Sequence, residues 1–153
     1  MLAVIRIKGE VHSPAKVRDT MRMLGLERVN HLALVVDSPT IRGMLKKVEH
    51  LVSFGEIDLK TLSLVLEKRG RLGGNKRLNA GFLQQHKFKS FNDLAEKILE
   101  NKKIIVEMGV HPVFRLHPPR GGFERPGIKR SFSVGGVWGN RGPKINALIE
   151  KMS

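Results

Sequence analysis

The sequence predicts an α+β fold, in which a two-layer β-α-β-α-β core over residues 1–58 is followed by a helical, loop-rich and basic extension over 59–153. Three observations predict it. Apolar and β-branched residues gather in three short runs, helical stripes headed by Ser-Pro pairs separate those runs, and glycine and proline crowd the stretch from His111 to Pro143.

Leu2 to Lys8 alternates as a strand, with β-branched Val4, Ile5 and Ile7 along it. Ser13 reads as an N-cap with Pro14 at the first helical position, and Val17, Met21 and Leu24 form one helical stripe. Gly25 stands where a left-handed residue ends a helix. His31 to Val36 reads as a buried strand. Asp37 or Ser38 then caps a second helix, opened by Pro39, that turns Ile41, Met44, Leu45 and Val48 inward and Arg42 and Lys46 to water. Leu51 to Ile57 is a third strand, broken at Gly55.

Asp58 is placed to cap a helix near 58–69 that carries Leu59, Leu62, Val65 and Leu66 and stops at Gly70. After it, GRLGGNKR reads as a mobile basic loop. Ser90 and Asp93 resemble a capping box for a helix near 90–101 whose stripe is Phe91, Leu94, Ala95, Ile98 and Leu99. Ile104 to Met108 reads as a short strand or as the start of the tail. From His111 to Pro143 the chain holds seven Gly and five of its seven Pro, which forbids long regular elements. Gly-rich basic chain of this kind is expected to stay unordered without a polyanion, for want of apolar burial. A last helix near 143–152 begins at Pro143 and carries Ile145, Leu148, Ile149 and Met152.

The chain has 153 residues with 28 Lys and Arg against 14 Asp and Glu, a formal net charge of +14. With no cysteine, disulfides, thiolate metal sites and cysteine nucleophiles are excluded. Its longest apolar runs, Met1 to Ile5 and Leu32 to Val36, fall far short of the roughly 18 residues a membrane-spanning helix needs. Arg6 and Lys8 cut the N-terminal run before it could serve as a secretory signal, so a cytoplasmic protein with no membrane partner is expected.

The excess charge is concentrated. Lys68, Arg69, Arg71, Lys76, Arg77, Lys87 and Lys89 follow one another with no acid between them. Arg115, Arg120, Arg125, Lys129, Arg130, Arg141 and Lys144 stand against Glu124 alone. A solvated helix face interleaves opposite signs at three- and four-residue spacing, and these stretches do not, so a bound polyanion must relieve their repulsion. Nucleic acid is the partner that fits. In HPPRGGFERPGIKRSFSVGG, His117 to Gly136, cations alternate with glycine pairs and with Phe123 and Phe132. Arginine and lysine supply phosphate contacts, glycine lets a backbone come close, and an aromatic ring stacks on an unpaired base. Core packing is the plainer role for Phe123, Phe132 and Trp138.

Motifs for catalysis are missing. GRLGGNK lacks the second glycine and the Ser or Thr of a nucleotide-binding phosphate loop. GVWG and GNRG lack the helical flanks of a KH clamp. The six histidines, His12, His31, His50, His86, His111 and His117, show no paired metal-ligand spacing, so neither a metal, nor a cofactor, nor a small-molecule substrate is expected.

The stretch SPTIRGMLKKVEHLVSFGEID, Ser38 to Asp58, preceded by LGLERVNHLALVVD from Leu24, closely resembles the universal large-ribosomal-subunit protein family numbered thirty, in its longer archaeal form, related to the eukaryotic large-subunit protein numbered seven. FRLHPPRGGFE and the closing INALIEKM resemble that form's tail. The resemblance implies a three-stranded antiparallel sheet backed by two helices, a truncated ferredoxin-like core. It also implies a non-enzymatic component of the large subunit whose partners are large-subunit ribosomal RNA, the small RNA of that subunit and neighbouring ribosomal proteins. By position in the IRGM pattern, Arg42 is implied as an RNA contact and Gly43 as a place of close approach or of helix–sheet packing.

Residues and resemblance together lead to one expectation, a structural ribosomal protein that docks its core by one face and threads its basic loops along phosphates. The expected RNA contacts are Arg42, Lys46, Lys68, Arg69, Arg71, Lys76, Arg77, Lys87, Lys89, Arg115, Arg120, Arg125, Lys129, Arg130, Arg141 and Lys144. Two rivals are a free-standing nucleic-acid chaperone or chromatin protein, which would bind duplex DNA equally well, and an RNA-processing enzyme using a histidine as general base.

Overall fold

Strand β1 (Leu2–Arg6) is buried along its whole length because it runs through the middle of the sheet, and its alternating side chains feed two different cores. The structure is a computed structural model that describes residues 1–11, 13–86 and 88–153. Strands β2 (His31–Val35) and β3 (Val52–Glu56) flank β1 antiparallel on either side, with Ala3 opposite both Leu34 and Gly55. Leu2, Val4, Ala33, Val35 and Val52 face helices α1 (Ala15–Met23) and α2 (Pro39–Val48), where they bury Met21, Leu24, Leu45 and Val48. This is the three-stranded, two-helix core that the sequence predicts.

The local signals resolve in detail. Helix α1 is capped at Pro14, with no side-chain hydrogen bond, so Ser13 does not serve as the N-cap. Gly25, at φ +76°, makes the left-handed turn after α1. For α2 the cap is Ser38, whose Oγ accepts from the Ile41 N–H at 3.2 Å. Asp37 instead takes both ends of the Arg42 guanidinium, at 2.6 and 2.5 Å. Gly55 does not break β3. A side chain there would meet the Gly142 carbonyl oxygen at 2.0 Å, so the glycine is the gap through which the tail lies against the strand.

The extension turns this two-layer unit into three layers. Helices α3 (Leu59–Arg69), α4 (Ala80–Gln85), α5 (Phe91–Glu100), α6 (Lys103–Glu107) and α7 (Ile145–Met152) pack on the other face of the sheet. There Ala3, Ile5, Leu32 and Leu34 meet Leu62, Val65, Leu66, Leu94, Ile98 and Ile149. Two short strands from the Gly- and Pro-rich stretch lengthen the sheet, β4 (Val113–Arg115) antiparallel to β2 and β5 (Gly139–Asn140) parallel to β3. The order is β4-β2-β1-β3-β5.

Three expectations are corrected. Residues 103–107 form a helix, neither a short strand nor the start of the tail: Asn101 Oδ1 accepts from the Lys103 N–H at 3.0 Å and only Ile105 of that turn is buried. The basic loop is a closed hairpin. Arg71 pairs with Arg77 across it, the Leu72 N–H donates to Lys76 O at 2.8 Å, and the His111 N–H donates to Arg71 O at 2.8 Å, tying the hairpin to the approach of β4. The expectation of an unordered tail fails on burial: Phe114, Leu116, Val137 and Ile145 are all in the core. Asp58 stands at the start of α3 without a side-chain cap, and its N–H donates to Asn146 Oδ1 of α7 at 3.0 Å. At α5, Ser90 Oγ accepts from the Asp93 N–H at 3.3 Å while Asp93 Oδ2 accepts from the Lys89 N–H at 3.2 Å, a capping box displaced by one residue.

Candidate nucleic-acid interface

The structure sorts the predicted arginines by what they touch. Arg141 is 5% exposed. Its Nε donates to Ser53 Oγ at 2.9 Å and to Val137 O at 3.1 Å, and its two terminal nitrogens donate to the Glu124 carboxylate at 2.6 and 2.9 Å. Its guanidinium lies 4.6 Å from the centre of the Phe132 ring. The guanidinium holds the Glu124 carboxyl below the usual carboxylate range, against the opposing effect of burial. Arg141, expected as an RNA contact, is here bonded within the chain and fastens the tail onto β3. Arg6, 3% exposed, plays the same part in the core. It donates to Leu26 O at 2.9 Å and Glu27 O at 2.6 Å, and so shapes the turn that leads into β2.

A second group of cations has the opposite character. At the end of α3, Arg69 lies within electrostatic reach of Arg71 and Arg77 of the hairpin and of Arg120 of the tail, and Arg71 and Arg77 stand opposite each other across the hairpin. Burial and then those three like charges push the Arg69 guanidinium below its ordinary value. Its Nε is buried without a hydrogen-bond partner among the described residues. Around β4, Arg115 and Arg28 face His31 and, after burial, are the main charges that lower its pKa, with Glu27 opposing them. Among the described residues, the ion pairs are Arg6–Glu10, Arg42–Asp37 and Arg141–Glu124, so none of these converging cations is neutralised by a carboxylate.

The remaining predicted contacts are distributed over the surface. Lys68, Lys76, Lys89, Arg125, Lys129, Arg130 and Lys144 are exposed, and Lys144 Nζ lies 5.9 Å from the Phe132 ring. Lys87 lies outside the described residues. Arg42 and Lys46 line a hollow of about 370 Å³ beside β3 together with Glu49 and Glu56. With Arg42 paired to Asp37, that part of the α2 face is balanced in charge, unlike the hairpin side. The rings are committed inward: Phe123 packs on the core, Phe132 lies against Arg141, and Trp138 carries Lys8 Nζ at 5.6 Å.

Arg28, His31 and His111 escape a sequence reading. Arg28 follows Glu27 and looks like half of a surface pair, and nothing in one dimension shows that β4 will bring Arg115 and His111 beside it. Among the described residues no group of three or more His, Asp or Glu is arranged to hold a metal ion. No helix among them is long and apolar enough to cross a membrane.

Comparison with known proteins bears directly on this arrangement. The family described as Ribosomal protein L30p/L7e matches residues 2–52, the strands and helices of the core. Over the full chain the similarity extends to curated proteins named large ribosomal subunit protein uL30. The one from Methanococcus maripaludis strain C5 is 46% identical over 150 residues, covering 98% of this chain and 97% of its own. That from Methanocella arvoryzae is 41% identical over 154 residues, covering 99% of each. The protein of Nanoarchaeum equitans is 39% identical over 149 residues, covering 97% and 96%. The resemblance seen in the IRGM helix and in the tail thus holds from end to end, and the chain belongs to the uL30 family of large-subunit ribosomal proteins.

Proposed function

We propose that this protein is a structural constituent of the large ribosomal subunit that binds and stabilises folded ribosomal RNA through its basic, Gly-rich loops. Beyond membership of the family, the reading is carried by the hairpin, where Arg71 and Arg77 stand opposite each other and Arg69 lies within electrostatic reach of both and of Arg120, none of them ion-paired among the described residues. Folding brings like charges together at a cost, and a polyanion seated on them offsets it. Residues 1–58 serve as the core and 59–153 as the extension that supplies most of the phosphate contacts.

Recognition is by shape. A-form duplex hides its base edges in a deep, narrow groove, so cations reading the backbone fit folded RNA without reading its sequence. In the assembled subunit, the tail reaches toward the small RNA, and neighbouring ribosomal proteins are further partners.

The test has two arms. In a sucrose gradient of native lysate washed in high salt, the tagged protein is expected at stoichiometric level in the large-subunit peak; a protein found only at the top overturns the reading. With purified chain and ribosomal RNA, neutralising about 6–10 phosphates makes affinity fall by roughly 10³ to 10⁵ between 50 and 200 mM salt. A flat salt dependence, or equal affinity for duplex DNA, counts against it.

A further inference from the structure

Where the core and the extension meet, two adjoining clefts of about 350 and 90 Å³ share His111, Val113 and Arg115. The larger is completed from the core by Arg28 and His31, with Glu27 on its rim. The smaller is completed by the hairpin, through Arg71 and the exposed glycines Gly73 and Gly74. From this juxtaposition we infer that the cleft receives a single unpaired nucleotide of the bound RNA, its base between His31, His111 and Val113 and its flanking phosphates on Arg28, Arg71 and Arg115. The inference rests on the RNA-binding reading above and names what one part of that surface takes.

Size argues for one nucleotide. The larger cleft lies at the lower end of the roughly 300–1,000 Å³ typical of small-molecule sites, too small to admit a helix. Charge argues for phosphate. Three arginines border the two clefts, none within ion-pairing distance of a carboxylate among the described residues, and Glu27 is the one acid lining either. Chemistry argues for a base beside them. Single-stranded RNA is held by stacking on imidazole or guanidinium planes and by hydrogen bonds to base edges. His31 carries a buried Nδ1 with no hydrogen-bond partner among the described residues. Burial and the neighbouring arginines lower its pKa, and a neutral imidazole both donates and accepts a hydrogen bond.

Exposed glycine at the hairpin tip leaves room for a sugar-phosphate chain to lie against the backbone, since a side chain at Gly73 or Gly74 would meet nothing within 4 Å. The hairpin is held in place by the bond from the His111 N–H to Arg71 O at 2.8 Å. Val113 is in register with Ala33 of β2. The cleft is thus assembled from three segments distant in sequence, and it requires the full chain.

The experiment uses the full-length protein with two probes, a single-stranded pentaadenylate and a short, fully paired RNA duplex. The triple variant Arg28→Gln, Arg71→Gln, Arg115→Gln alters exposed or half-exposed side chains, and its melting temperature is expected to match that of the wild type. It is expected to bind pentaadenylate about tenfold or more weakly, with a salt slope smaller by roughly two to three, and to change much less toward the duplex. Ultraviolet cross-linking of the wild type to pentaadenylate is expected to leave nucleotide adducts on the peptides containing His31 and His111, and on those peptides no longer in the triple variant. Unchanged pentaadenylate affinity in the variant, or adducts confined to other peptides, overturns the cleft. If steep salt-dependent binding to ribosomal RNA persists in that case, the wider reading stands. A wild-type chain with no salt-dependent affinity for any RNA overturns both.

Discussion

Residues 1–58 carry nine basic against seven acidic side chains, and residues 59–153 carry nineteen against seven. In the core, charges are matched or used internally: Arg42 is held by Asp37, and Arg6 by backbone carbonyls of the turn before β2. In the extension Arg141 is used this way and Arg71 reaches Asn75 O at 3.4 Å, while among the described residues Arg69, Arg71, Arg77 and Arg120 have no carboxylate partner. An arginine becomes part of the fold where acceptors already converge on it, and part of a binding surface where only other cations do.

The sharpest way to break this comparison is at Arg141. Arg141→Ala removes the buried partner of the half-exposed Glu124 carboxylate and leaves Ser53 Oγ and Val137 O without their donor, so it is expected to destabilise the chain by about 3 kcal/mol in urea titration. An exposed hairpin arginine such as Arg77→Ala is expected to change stability by less than about 0.5 kcal/mol. Next in size is Gly55→Ala. Its methyl group would overlap the Gly142 carbonyl, and a loss of about 2 kcal/mol is expected, together with faster amide exchange at Arg141, whose N–H donates to Phe54 O at 2.8 Å.

RNA binding sharpens the same contrast. The double variant Arg71→Gln, Arg77→Gln is expected to reduce the slope of log affinity against log salt by about two, whereas Arg42→Gln, already paired, is expected to leave it nearly unchanged. Equal slopes for the two would place phosphate contacts on both sides of the molecule. Ser38→Ala removes the cap of α2 and is expected to lower stability by about 1 kcal/mol with no effect on the salt slope.

The smallest expected effect is pH dependence at His31. Its folded-state pKa lies below the ordinary value of 6.5, so near neutral pH both the folded and unfolded forms are uncharged and the histidine is neutral in its effect. As pH falls through 6.5, the unfolded chain takes up the proton first, and stability declines until the folded pKa is passed. His31→Gln is expected to remove that step from a plot of unfolding midpoint against pH. The Glu124 carboxyl behaves as an ordinary ion-paired acid, its contribution present above the usual carboxylate range and lost below it.

Much of the fold was legible because its signals are local. The Ser38-Pro39 pair, the IRGM stripe, Gly25 and the Ser90–Asp93 pair each act within a few residues of themselves. What misled was also local in appearance. Ile104 to Met108 has strand composition, yet a five-residue helix, entered where the Lys103 N–H donates to Asn101 Oδ1, packs Ile105 inward. Gly55 looks like a strand breaker until the tail is seen lying on it. For the candidate interface, composition marks the two basic stretches but cannot separate Arg141, which is spent on Glu124, from Arg115, which is not.

By itself, then, the sequence determined the β-α-β-α-β core, the helical stripes of the extension and the excess of positive charge in its last two-thirds, because periodicity, caps and composition are written residue by residue. Only the tertiary structure decided that the Gly- and Pro-rich tail would add β4 and β5 to the edges of the sheet, and which arginines would be buried as clamps. It also decided that Arg28, Arg71 and Arg115 would border one continuous pair of clefts. Those outcomes depend on contacts between residues far apart in the chain, where partner and distance, not residue type, fix whether a charge is satisfied or left facing outward.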